Sequence, residues 1–162
     1  MAATHQFSES NGAGEVETIP VANLNFGSND SAELDTTTYP ITRGDDSFEK
    51  YLRSKFTGTW TEISNMKFWK SAGAYVTGES IKAAANVAYA QPSATPNADS
   101  AIPTTEGTAL AMQSAEGDSV ITYGASGVSG YTKYLRLQTH STGSTPAGAG
   151  NQKTFTMQYD EV

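Results

Sequence analysis

Apolar residues in this chain return at every second position in short runs, and that period is the strongest constraint on its fold. In "KTFTMQYDEV" Phe155, Met157 and Tyr159 alternate with polar residues. In "YTKYLRLQTH" Tyr131, Lys133, Leu135, Leu137 and Thr139 share one face, and Tyr134, Arg136, Gln138 and His140 share the other. "ESIKAAANVAYA" repeats the pattern at Ile81, Ala83, Ala85, Val87 and Tyr89. A side chain that comes back to the same face every two residues belongs to a strand. "SFEKYLRSKF" fits a helix or a strand, but it runs through Thr57-Gly58-Thr59 into the aromatic and β-branched "WTEISNMKFWK", which favours a hairpin of two strands with Trp60 or Trp69 on its core face. "IPVANLNFG", "TALAMQ" and "DSVITYG" read as further short strands. Between them lie turn-rich stretches, among them the proline-rich loop 91–107 and the glycine-rich loop 142–151. Roughly eight short strands separated by turns predict an all-β fold, a β-sandwich or jelly roll.

The chain divides unevenly in charge. Residues 1–40 carry six acids and no Lys or Arg, whereas six of the ten basic residues fall between Arg43 and Lys70. The first 18 residues hold few apolar side chains beyond Phe7 and Val16, so they are expected as a flexible, extended N-terminal arm ahead of a sandwich domain over 19–162. An acidic arm of this kind can pack on the basic middle of its own chain or of a neighbour.

Across all 162 residues the net charge is −7, a poor match to free nucleic acid, whose phosphates need a basic face. The absence of cysteine excludes disulfides, thiolate metal sites and cysteine nucleophiles. No signal peptide and no apolar run of about 20 residues is visible, so no membrane partner is expected.

The tetrapeptide KYLR occurs twice, at Lys50–Arg53 and Lys133–Arg136. Both copies read as strands with Leu52 or Leu135 inward and a Tyr–Arg pair outward: equivalent architecture rather than a repeated site. Tyr51 and Tyr134 could stack on sugars or partners, or fill cross-strand positions beside Arg53 and Arg136.

Signatures of chemistry are weak. His5 and His140 are the only histidines, and neither has a carboxylate cluster beside it in sequence. Ser126 and Ser129 in "YGASGVSG" have the wrong spacing for a nucleophile elbow. "GAGNQKT" has Gln152 where a phosphate loop needs glycine. Asn29, Ser31, Glu33 and Asp35 recur at every second residue but lack the glycine and final Glu of a calcium loop. Arg43-Gly44-Asp45 spells an integrin-binding tripeptide, for which a turn before a strand is the simpler account. No catalytic residue, cofactor or metal is assigned.

Four stretches, "ITRGDDSFEKYLR", "ISNMKFWKSAGAYVTG", "YTKYLRLQTHSTGSTPAG" and "TFTMQYDEV", together resemble small β-sandwich virion proteins of tailed bacteriophages, of the decoration or cement kind, over roughly residues 20–162. The resemblance implies a non-enzymatic capsid decoration protein of the virion. It would form homo-oligomers, with a trimer favoured, and bridge subunits of the major capsid protein. A tail or baseplate structural role is the near alternative. A carbohydrate-binding module using Tyr51, Tyr134, Trp60 or Trp69 is the alternative from another class. Candidate partner-contact residues are Tyr51, Arg53, Tyr134 and Arg136 on the strands and Ala101, Ile102 and Pro103 in the proline-rich loop. Ile102 is the expected apolar anchor.

Overall fold

The computed structural model describes residues 2–124, 130–148 and 150–162. Ten strands follow in order: β1 (Thr4–Asn11), β2 (Val16–Thr18), β3 (Lys50–Thr57), β4 (Glu62–Ala72), β5 (Ser80–Val87), β6 (Ser100–Ala101), β7 (Leu110–Ala111), β8 (Ile121–Thr122), β9 (Tyr134–His140) and β10 (Thr154–Glu161). One short 3-10 turn, Glu106–Thr108, interrupts them. The all-β sandwich expected from the alternation is the fold. Its strand count exceeds eight because β2, β6, β7 and β8 are only two or three residues long.

Six strands form one sheet in the order β2-β1-β3-β9-β5-β6, and β10-β4-β7 form the other, with β8 on a separate stretch of β4. Every pairing is antiparallel. The alternation works as the period of two requires. Leu52, Phe56, Leu135, Leu137, Ile81 and Ala83 point inward from the larger sheet and meet Ile63, Met66 and Phe68 of β4. Fully burying such a side chain contributes about 1.5–3 kcal/mol. The rings of Phe7 and Phe68 meet edge-on at 6.1 Å, tying β1 to the opposite sheet.

Three expectations need correcting. First, residues 1–18 do not form a flexible arm outside the sandwich. Thr4–Asn11 is β1, held between β2 and β3, with Thr4 to Ser10 in register against Thr57 to Tyr51. Seven consecutive ladder pairs satisfy the backbone, so the segment orders with few apolar side chains of its own. Second, β3 and β4 are not a hairpin. They lie in different sheets, and the chain crosses between them at Gly58, whose φ of +100° suits glycine and which sits close to the Ala2 carbonyl. Third, "IPVANLNFG" is not a strand. After β2 the Val21 amide bonds the Phe7 carbonyl once, and the chain then continues as coil.

Candidate functional site

The two KYLR copies are antiparallel neighbours. Tyr51 opposes Arg136 and Leu52 opposes Leu135. The register shifts beyond this pair, where Lys55 bridges Tyr131, and Arg53 reaches Tyr134 through its side chain. The repeat is therefore a local two-fold: each tyrosine lies beside the other copy's arginine, and the two leucines meet in the core. The Arg53 guanidinium stands 4.7 Å from the centre of the Tyr134 ring and 4.1 Å from that of Tyr131. Arg136 instead meets Tyr51 through a hydrogen bond to its hydroxyl, directly across the ladder. The first residue breaks the symmetry, because Lys50 is fully buried whereas Lys133 is not.

Two stretches of chain close over this layer on the outer face of the larger sheet. From one side come residues 12–17. The Tyr134 hydroxyl donates to Glu15 at 2.7 Å, Tyr131 donates to Glu17 at 3.0 Å, and Arg53 pairs with Glu17 at 3.2 Å. From the other side comes the start of the proline-rich loop. Arg136 makes two bonds to the Asp99 carboxylate, at 2.9 and 2.6 Å, and lies 3.5 Å from Glu49. Gln138 bonds the Thr95 carbonyl and the Asn97 amide. Tyr89 completes a three-ring cluster, 5.1 Å from Tyr51 and 5.6 Å from Tyr134, and its hydroxyl bonds the Gly12 carbonyl.

The electrostatics follow from this closure. Burial drives the Tyr89 hydroxyl up to about 12, aided by the negative charges of Asp30 and Glu15. Burial also raises Tyr134. For Glu17, burial pushes upward, but the hydrogen bond from Tyr131 and the Arg53 charge outweigh it, leaving the carboxyl below its ordinary value. The bonds to Asp99 hold Arg136 well above the ordinary range of its guanidinium. These groups act as an internal clamp.

The outward Tyr–Arg pairs are consequently not open platforms. Tyr51 is 1% exposed and Tyr134 6%, while Arg53 and Arg136 show about a quarter of their side chains. Ile102 is not the exposed anchor expected from the loop. It is 4% exposed and belongs to the core, not to a contact surface. Its amide bonds the Ile81 carbonyl in the larger sheet, and the Pro103 carbonyl accepts from Lys70 in the smaller one, so Ile102–Pro103 is where the chain passes between sheets. Ala101 is exposed on β6, and Pro103 is half-buried. Of the tryptophans, Trp60 is buried and donates to the Ile121 carbonyl. Trp69 is half-buried on the outer side of β4, opposite Thr156.

The remaining candidates scatter. Asn29 caps the Asp30 amide, Glu33 accepts from Ala22, and Asp35 accepts from Thr37 and Thr38, so these oxygens serve the backbone of their own loop. Among the described residues no group of three or more His, Asp or Glu has metal-binding geometry. Arg43-Gly44-Asp45 lies in an exposed turn closed by an Asp45 amide bond to Thr42, and Arg43 is bonded to the Gly143 carbonyl. His5 lies against Ser54, and His140 against Asp46. Lys153 pairs with Glu79. Ser126 and Ser129 lie outside the described residues.

Two features escaped the motifs. The first is the fully buried Lys50–Glu9 pair, 2.8 Å apart, which also engages Asn11 and the Ser31 carbonyl. The charge asymmetry along the chain was its signal, and the acidic start does pack on the basic middle of its own chain. The second is a groove of about 1020 Å³ that enters between the sheets beside Phe7, Leu24, Phe26 and Phe155. Its walls come from at least six separate stretches, so no local pattern announces it. In comparisons with family models, curated proteins and solved structures, no match to this chain is found.

Proposed function

We propose that this chain is a non-catalytic structural protein of a tailed-phage virion, bound to the capsid surface as an oligomer and bridging subunits of the major capsid protein. The observation that supports this reading best is the clamp over the larger sheet. Arginine, tyrosine and carboxylate groups of the kind a reactive site would use are instead tied to one another across the loops, which stiffens the exposed face of a small sandwich. A rigid acidic module repeated over a lattice gains affinity from avidity, without needing a deep pocket. Mass spectrometry of purified particles should find the chain in stoichiometric amounts; its absence from virions would overturn the reading. Imaging of the same particles would separate a capsid position from a tail or baseplate position.

A second reading rests on Trp69. It lies on the outer face of the four-stranded sheet beside Thr156 and Ser71, whose hydroxyls bond each other at 2.7 Å. A half-exposed indole flanked by hydroxyls is a surface on which a sugar ring can stack and hydrogen-bond. Glycan-array binding that is lost in Trp69→Ala and kept in Tyr51→Phe would favour this reading over the first.

A further inference from the structure

Among the described residues β10 is the long strand with one edge unpaired. It has eight residues and pairs only with β4, whereas β2, β6, β7 and β8 have three, two, two and two. Exposed edges are normally blunted by shortness, by lysine or by proline. Thr154–Glu161 contains neither lysine nor proline, and its charges, Asp160 and Glu161, stand only at its end. Both register shifts against β4 place the extra residue in β4: two β4 positions match one step of β10 between Thr154 and Phe155, and three match two steps between Gln158 and Asp160. The alternation of β10 itself is thus unbroken. Its inward residues Phe155, Met157 and Tyr159 stay only half-buried, and the groove opens beside Thr154 and Phe155.

We propose that β10 pairs antiparallel with β10 of a second copy about a two-fold axis, joining the two four-stranded sheets into one. The occupant follows from side-chain complementarity. A strand added to a half-buried sheet must keep inward residues beside inward residues. Centring the axis on Met157 does so. It sets Met157 against itself, Phe155 against Tyr159, and Thr156 against Gln158. It also sets Asp160 against Thr154, clear of its own copy. Parallel pairing in register would instead stack Asp160 and Glu161 on their own copies. The contact is isologous and closes at two chains, so a three-fold assembly would need a further surface. It does not depend on the virion reading.

The cysteine-free sequence makes the test clean. Thr156→Cys and Gln158→Cys alter polar positions on the outer face and should leave the fold intact, checked by thermal melting of the reduced proteins. Under mild oxidation a mixture of the two variants should give disulfide-linked dimers, at least about fivefold more than either variant alone, because directly opposed Cβ atoms lie about 4.5–5.5 Å apart and diagonal ones about 7–8 Å. Met157→Cys alone should cross-link to itself. Light scattering of the unmodified chain should show a concentration-dependent dimer. A monomer at every concentration, or equal cross-linking of the mixture and the single variants, would overturn the proposal. Either result leaves the mass-spectrometry test of the virion reading untouched.

Discussion

Lys50 and Glu9 face each other 2.8 Å apart with no solvent exposure of either side chain. Removing one member of such a pair leaves a buried charge uncompensated, which costs about 3–5 kcal/mol. Lys50→Met should therefore lower stability by about that amount in urea unfolding, and adding Glu9→Leu should recover most of the loss. If Lys50→Met matched the unmodified protein, the charge would not be uncompensated. The histidines act on a different axis. Burial lowers the proton affinity of His5, and burial lowers that of His140 against the opposing pull of Asp46. Both fall below the ordinary value of 6.5, so the unfolded chain takes up these protons first. The stability they permit is complete above pH 6.5 and is lost as pH falls through the lower folded values. Melting temperature should decline over that window. The decline should shrink in His5→Phe and His140→Gln; an unchanged slope in both would contradict the assignment.

At the scale of elements, β1 is the test case. Its sequence reads as a flexible arm ahead of the sandwich domain, but it supplies an interior strand of the larger sheet. It also contributes Phe7 to the core margin and Glu9 to the buried pair. Deleting residues 2–11 should abolish cooperative unfolding in a thermal melt. A truncated chain that still melted cooperatively near the original temperature would restore the arm. The misreading has a physical origin. β1 carries "THQFSESN", in which only Phe7 is strongly apolar. Its order comes from ladder hydrogen bonds and from partners 40 and more residues away, which local hydrophobicity does not register. The same limit explains Ile102. Its neighbours Ala101 and Pro103 and a polar loop made it look like a surface residue, yet the loop dives inward there to join the two sheets.

The whole molecule is wired by distant pairings. β4 pairs with β10 across Ile63 and Glu161, β3 with β9, and β5 with β9. Closing such loops before their contacts form is slow, and sandwiches of this kind fold in milliseconds to seconds. Stopped-flow refolding should show relaxation in that range; folding in microseconds would argue against this topology. The alternation of Phe155, Met157 and Tyr159, of Ile81 and Ala83, and of Leu135 and Leu137 determined the strands, their inward faces and hence the all-β class, because side-chain direction in a strand depends only on the parity of position. The lack of cysteine and the acidic start were equally legible. Parity does not say which strands are neighbours. Only the tertiary structure decided that the two KYLR segments pair with each other, that β3 and β4 part into different sheets, and that the outward tyrosines are covered. Those outcomes depend on contacts between segments far apart in the chain, where one loop's carboxylate meets another strand's guanidinium.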